Sequence, residues 1–455
     1  MDFDAYFEGF RGKRVLVLGL GVSNRPLVRL LLQYGIDVTG CDKTPREQLD
    51  GEVLELERLG AKLHLGEGYL AGLSADVAFR TPGMLPTRPE IAALRQAGTL
   101  IASEMEAFFE VCPCTILAVT GSDGKTTTTT LISEMLKAAG KTAFLGGNIG
   151  MPLLPLAKKM KPGDFAVVEL SSFQLMDMRR SPHVAVVTNL APNHLDLHGG
   201  MEEYVEAKKQ IFLHQSEGDI LVLNHDNALT DGFREEARGA VRLFSRRERL
   251  ESGVCLQGGV IYRDGSELLR QSDILLPGIH NAENYMAAIC TVEGLVPDDC
   301  IRQVARTFGG VEHRIELVRI RDGVSYYNDS IASSPSRTIA GLRSFDKKVI
   351  LIAGGYDKHI PYDVLGPEIC AHVKKLVLTG VTSPKIREAA ERAAKTGMDL
   401  PEIYENNDFY GAIRQAAALA APGDVVILSP ASASFDRFKN FMVRGEEFKK
   451  TVWEL

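Results

Sequence analysis

At 455 residues, with 45% apolar and 24% charged side chains, the chain has the composition of a globular protein of about three domains. A formal net charge of −7 without a long basic run excludes electrostatic binding of nucleic acid or of an acidic lipid surface. The seven cysteines are scattered, no apolar run is long enough for a membrane span, and the acidic start MDFDAYFEGF lacks a basic n-region, so a reducing, cytoplasmic setting without membrane insertion is expected.

Three segments share a theme of short β-branched strand, glycine turn and helix: RVLVLGLG (Arg14 to Gly21), TILAVTGSDGK (Thr115 to Lys125) and KVILIAGGYDK (Lys348 to Lys358). Strands alternating with helical patterns predict α/β domains with parallel sheets, whose ligands lie at the carboxyl ends of the strands. Interruptions near Cys112-Pro113-Cys114 and Gly309-Gly310 divide the chain into 1–112, 113–310 and 311–455. In the first segment Gly19-x-Gly21, a helix through Leu27 to Leu32 and a strand ending at Asp42 form half of a dinucleotide fingerprint, with Asn24 where the third glycine belongs. A bound nucleotide and an ordinary tight turn explain it equally well.

The middle segment reads VTGSDGKTT (Val119 to Thr127), which departs from G-x-x-x-x-G-K-[ST] because Val119 replaces the first glycine. The strand ILAVT before it and the amphipathic stretch TLISEMLKAAGK after it are the setting of a phosphate loop, with backbone amides facing an anion and Lys125 reaching its terminal phosphates. Thr126 then stands where a hydroxyl holds Mg²⁺. The competing reading is a Gly-Lys turn with no ligand, and the run Thr126 to Thr130 is an unfavourable way to start a helix. Glu169 ends the strand DFAVVEL, where an acid faces the metal of nucleotide hydrolases, although a glutamate there is ordinarily only solvated. Asn189 and His194 follow the next strand. His194-x-Asp196-x-His198 would suit zinc only with a further ligand, and none is suitably spaced.

In MEEYVEAKKQIFLHQ, Tyr204, Lys208, Ile211 and Phe212 fall on the apolar helical face, whereas Lys209 points elsewhere and is expected to be solvated. Lys208 must snorkel, pair or lose its proton, and a neutral amine there is open to chemical modification.

Together these residues resemble the Mur ligases, ATP-dependent amino-acid ligases of peptidoglycan synthesis. TGSDGKTT is similar to the family loop T-G-[TS]-N-G-K-[TS]-[TS], with Asp123 for Asn. GGNIG, ELSSFQL, TNLAPNHLDLHG, EAKKQIF, HNAEN, EHR, YYNDSIASSPSRT and LSPASASFDRFKNFMVRGEEF follow in the family's order, the last being particular to the D-glutamate-adding branch. The resemblance runs from the first glycine loop to the last helix. It implies Rossmann-like N- and C-terminal domains around a central mononucleotide-binding ATPase domain, in a monomer that binds only small molecules. The implied reaction joins D-glutamate to UDP-N-acetylmuramoyl-L-alanine through an acyl phosphate made from ATP.

The resemblance further implies that ATP lies against Gly121, Ser122, Asp123, Gly124, Lys125, Thr126 and Thr127, with Asn281, Asn284, Arg314 and Asp329. The UDP-sugar falls to Ser23, Asp42, Lys43, Thr44, Thr81 and Asn148, and D-glutamate to Ser333, Lys358, Ser434, Phe435 and Phe441. Lys125, Glu169, His194 and Lys208 are the implied catalytic residues. One Mg²⁺ belongs on Thr126 and Glu169, and a second near His194 and a Lys208 carbamylated by CO₂, with Mn²⁺ able to substitute. Ser434 with Phe435 is expected to open a helix after the strand DVVIL, as an anion site or as an ordinary N-cap. Many relatives carry a lysine where this chain has Ile331, and Arg337 or Lys358 would take its place. The alternatives are a Mur-type ligase for another amino acid, a nicotinamide-dependent oxidoreductase resting on Gly19-x-Gly21, and a nucleotide-regulated scaffold. The D-N-P-R signature of the diamino-acid-adding branch is absent from the sequence.

Overall fold

The structure, a computed structural model, describes residues 1–193, 197–276, 278–358 and 360–455. The chain forms three sheets and divides into two compact units, residues 1–273 with 282–304 and residues 274–281 with 305–455. The first unit contains two of the sheets, the second the third. Among the described residues no helix is long and apolar enough to cross a membrane.

The first sheet is wholly parallel, in the order Lys62–Leu65, Asp37–Asp42, Arg14–Leu18, Val77–Arg80, Leu100–Ala102. Its connection order reverses between Arg14–Leu18 and Val77–Arg80, and a ligand crevice opens outside the carboxyl ends at such a reversal. Gly19 and Thr81 flank that point. Gly19 has φ 88°, and a Cβ on it would lie 2.7 Å from Thr81 Cγ2, so the close approach requires glycine. The helix Asn24–Gln33 buries Leu27, Val28 and Leu31 in the core. Asn24, at the place of the third fingerprint glycine, is buried and donates through Nδ2 to the Gly19 carbonyl at 2.8 Å. A side-chain bond thus replaces the backbone contact that glycine would permit.

The second sheet has nine strands, in the order Ser266–Arg270, Val260–Arg263, Val254–Gln257, Ala240–Ser245, Ile220–Asn224, Val184–Val187, Thr115–Thr120, Phe165–Glu169, Ala143–Gly147. The first three are joined by antiparallel pairings, and from Val254–Gln257 onward every neighbouring pair is parallel. Thr115–Thr120 is an interior strand, apolar on both faces, the usual state of a covered parallel strand. Its register pairs Thr120 with Val187 and Val119 with Glu169, so the residues that follow emerge together at one rim.

The third sheet runs Glu316–Arg321, Val324–Asn328, Val425–Leu428, Val349–Ala353, Val373–Leu378, Glu402–Glu405, with only the first pair antiparallel. Beyond Leu428 the chain departs from expectation. Ser434 and Phe435 open only a single turn, in which the amides of Arg437 and Phe438 donate to the Ser434 carbonyl at 3.1 and 2.8 Å, and it does not continue into a helix. Phe438 packs its ring on Phe409 at 5.0 Å, which holds the chain in that turn. The helix begins instead at Phe441, where the Asn440 side chain accepts from the Val443 amide at 2.9 Å. Ser434 is therefore neither an N-cap nor part of a helix-terminus anion site.

Candidate active site

The loop after Thr120 has phosphate-loop geometry. Gly121 has φ 145° and Gly124 φ 76°; a Cβ on either would fall 1.9 Å from Thr188 Oγ1 or 2.3 Å from Asn284 Oδ1. Neighbouring loops hold the turn: the Ser122 amide donates to the Asn189 carbonyl and the Asp123 amide to Asn189 Oδ1, both at 2.9 Å. Ser122 Oγ also lies 2.9 Å from the Tyr204 hydroxyl. Lys125 starts the helix Lys125–Ala138, and its Nζ donates to the carbonyls of Gly121 and Ser122 at 2.9 and 2.8 Å. The threonine run is helical despite its propensity because its hydroxyls find partners. Those of Thr129 and Thr130 donate to the carbonyls of Lys125 and Thr126, and that of Thr128 to Asn284 Oδ1.

Thr126 Oγ1 donates to Glu169 Oε2 at 2.7 Å, and Asn148 Nδ2 donates to Glu169 Oε1 at 2.7 Å. Asn148, matched by resemblance to the UDP-sugar, thus stands beside the strand-end acid. Glu169 is 1% exposed, a buried carboxylate taking hydrogen bonds from two neutral groups. Such a group favours a cation, and the hydroxyl and carboxylate oxygens here are the hard donors Mg²⁺ takes.

Lys208 lies on the buried face of the helix Met201–Lys209 with Tyr204, is itself 1% exposed, and is followed by Ile211 and Phe212, buried in the turn just past the helix end. Its Nζ donates to Thr120 Oγ1 at 3.1 Å and lies 4.9 Å from the Tyr204 ring centroid. Burial, and then the charge of Lys125, push the amine well below the usual lysine range, against the pull of Glu169 and Asp123. The shift favours the neutral, nucleophilic amine, the form that adds CO₂, beside the phosphate-loop strand. Lys209 is not solvated as expected. It pairs with Glu206 and Glu236 at 2.8 and 2.7 Å and covers the Phe233 ring. His194 and Asp196 lie outside the described residues. His198 is buried, with Nε2 2.9 Å from Ser172 Oγ and its ring stacked on Phe173.

At the first sheet's crevice the Asp42 carboxylate accepts from the amides of Leu20 and Thr44 at 2.7 and 2.9 Å. Burial opposes its ionisation, but these bonds hold the carboxyl below its ordinary range. Ser23 ends the glycine loop with no side-chain cap bond, and Lys43 is exposed.

In the second unit Asp329 accepts from the Ser429 hydroxyl at 2.7 Å and the Ile315 amide at 3.3 Å, and burial pushes its carboxyl up to about 7. Arg314 lies in a turn with unusual backbone on both sides, His313 at φ 63° and Ile315 at φ 44°. Glu312, His313 and Glu446 are grouped closely enough for a metal. However, Lys449 already bridges Glu312 and Glu446 at 2.7 Å each, and Asn328 donates to His313 Nδ1. The group is an ion-pair network. Tyr356 bridges to Ala433, which sets the loop bearing Lys358 beside Ser434 and Phe435, and the rings of Tyr356 and Phe435 meet edge to face at 5.9 Å. Ser434 is buried, Lys358 and Phe435 are exposed, and Ser333 and Phe441 lie between these extremes. Arg337 donates to the Ile331 carbonyl at 3.2 Å, placing a cation where the family's lysine is missing.

Arg444 was not singled out from the sequence. It is buried, and its guanidinium donates to Ser330 Oγ and O and to the carbonyls of Ser432 and Ala433 at 2.9–3.0 Å. It joins the two loops expected to meet the amino acid.

Two family models match the chain, the Mur ligase middle domain over residues 119–292 and the Mur ligase glutamate ligase domain over 313–432. The chain is 55% identical over 451 residues to the UDP-N-acetylmuramoylalanine–D-glutamate ligase of Acetivibrio thermocellus, covering 97% of this chain and 96% of that one. It is 49% identical to the enzyme of the same name from Clostridium novyi, covering 99% and 98%. Its fold is similar to that of UDP-N-acetylmuramate-alanine ligase MurC from Thermotoga maritima, with a TM-score of 0.59, 17% identity and coverage of 97% and 99%. It is also similar to that of MurF ligase from Thermotoga maritima in complex with ADP, with a TM-score of 0.53, 19% identity and coverage of 97% and 95%.

Proposed function

Because the chain belongs to the Mur ligases, as one of their ATP-dependent D-glutamate-adding enzymes of peptidoglycan synthesis, we propose that its first unit prepares the acyl substrate and its second holds the amino acid. UDP-N-acetylmuramoyl-L-alanine rests at the carboxyl ends of the first sheet, on Ser23, Asp42, Lys43, Thr44 and Thr81. ATP rests on the loop from Gly121 to Thr127 with Asn284. The L-alanine carboxylate attacks the γ-phosphorus, the bond to ADP breaks, and an acyl phosphate forms. The amine of D-glutamate then adds to the acyl carbon, and phosphate leaves from the tetrahedral intermediate.

Lys125 and the loop amides offset charge on the transferring phosphoryl group. Thr126 and Glu169 would hold one Mg²⁺, and Lys208, carbamylated, would hold a second with His194; bound there, Mg²⁺ supplies charge neutralisation and Lewis acidity. Lys208 enters that role because a desolvated amine adds CO₂ and becomes an oxygen donor. The observation that carries this reading is the buried Thr126–Glu169–Asn148 bond set, together with a buried Lys208 whose amine is pushed below the usual lysine range. It is tested by phosphate release from ATP with UDP-N-acetylmuramoyl-L-alanine and each of a panel of amino acids. Phosphate should appear with D-glutamate and stay near background with L-glutamate, L-alanine, L-lysine or diaminopimelate. Release that needs no amino acid, or prefers another, would overturn it.

The juxtaposed loops of the second unit carry a further prediction. Hydrogen bonds to charged groups are worth about 1.5–3 kcal/mol, so Lys358→Ala and Ser434→Ala should each weaken D-glutamate about tenfold or more. Michaelis constants for ATP and the UDP-sugar should hold. A rise for ATP alone would move these residues to the nucleotide.

A further inference from the structure

Arg80 is the last residue of the strand Val77–Arg80 and is 1% exposed, among the largest fully buried side chains of the protein. A guanidinium so deeply covered must be paired and hydrogen-bonded to persist. Its Nε donates to Asp177 Oδ2 at 3.1 Å, its Nη1 to the Met84 carbonyl at 3.0 Å, and its Nη2 to the Phe173 carbonyl at 3.3 Å. These partners come from two places in the fold. Met84 closes the turn that begins at Thr81, on the rim of the first sheet's crevice. Phe173 and Asp177 follow Glu169 in the second sheet, through a short helix, Ser172–Leu175, opened by the Ser171–Gln174 capping box. One planar fork therefore spans the two rims, with Glu169 four residues before Phe173.

We propose that Arg80 is a positioning residue for the ligase reaction, clamping the Thr81–Met84 turn to the Glu169–Asp177 segment so that the acyl carboxylate meets the phosphoryl group in register. The inference rests on the reading that the acyl substrate occupies the first sheet's crevice and ATP the phosphate loop. Arg80 touches neither substrate. It acts through the two backbone carbonyls, and a small misplacement of a reacting group is enough to slow a reaction severely. Arginine suits the task and lysine does not, because only a planar fork can reach a carboxylate and two carbonyls from one stem. Arg95, 3.4 Å from Asp177, keeps that carboxylate paired when Arg80 is replaced, so substitution leaves no buried orphan charge.

The test uses the full chain with steady-state constants for all three substrates. Arg80→Met should raise the Michaelis constant for UDP-N-acetylmuramoyl-L-alanine and lower kcat, each by about tenfold or more, while the constants for ATP and D-glutamate stay within about twofold. Arg80→Lys should recover part of both losses, and Asp177→Asn, which keeps the carbonyl contacts, should show the same pattern in weaker form. If Arg80→Met does not fold, the other two variants decide the matter. A fall in kcat that merely follows the folded fraction in thermal melts, with all three constants unchanged, would make Arg80 structural only. Unaltered kinetics would dismiss the clamp. Failure of the wild-type chain to turn over the UDP-sugar would instead strike the reading beneath it, and the clamp with it.

Discussion

Lys125→Ala is expected to abolish ligation while leaving the fold in place. In the structure the ammonium donates to the Gly121 and Ser122 carbonyls at the mouth of the loop. During phosphoryl transfer it is the cation at hand for charge that spreads over the equatorial oxygens. A single cation in that role is worth about a thousandfold or more in rate, or about 4 kcal/mol of barrier. The structural loss is smaller, about 1.5–3 kcal/mol for hydrogen bonds from a charged group, and water can replace the ammonium at the two carbonyls. An ADP-release assay beside a thermal melt separates the two. A folded variant with near-normal turnover would sink the phosphate-loop assignment.

The second large effect concerns Lys208. Lys208→Ala should lose nearly all activity and regain part of it with a small carboxylic acid, which can occupy the cavity left by the side chain and present an oxygen there. The wild-type chain, kept in bicarbonate, should carry the added mass of one CO₂ by native mass spectrometry, and the Ala variant should not. The pH dependence follows from the direction of the shift. Burial pushes the amine well below the ordinary lysine range, so it is neutral, and open to CO₂, at pH values where an exposed lysine is protonated. Below the depressed pKa the amine takes up a proton, and both the added mass and bicarbonate activation should disappear. A fully active Ala variant without additives would reduce Lys208 to a core residue.

What the sequence disclosed depended on the range over which the determining contacts act. The loop from Gly121 to Thr127 was legible because strand, turn and helix are consecutive, and Lys208 because helical spacing alone puts it with Tyr204, Ile211 and Phe212. Ser434 was misread because a serine after a strand ordinarily caps a helix, whereas the packing of Phe438 on Phe409 turns the chain aside first. Lys209 was misread as solvated because its partner Glu236 belongs to another element. Arg80 left no local signal, since Asp177 is 97 positions away. Arg444 did leave one: it precedes Phe448 by four residues on the buried face of the last helix, the same pattern that exposed Lys208.

The strand order of the third sheet has a consequence for how the chain is made. Val425–Leu428 lies between Val324–Asn328 and Val349–Ala353, although both are translated long before it. At bacterial and eukaryotic elongation rates of about 5–20 residues per second, the roughly 100 residues that separate it from the first of them take on the order of 5–20 seconds to appear. Until it appears, the edge of each strand that will flank it, once made, lacks its native partner and is an open template for a stray strand from the same or another nascent chain. The centre of the second unit's sheet is therefore filled by the strand of that sheet made last, and the length of the wait is set by the rate of translation.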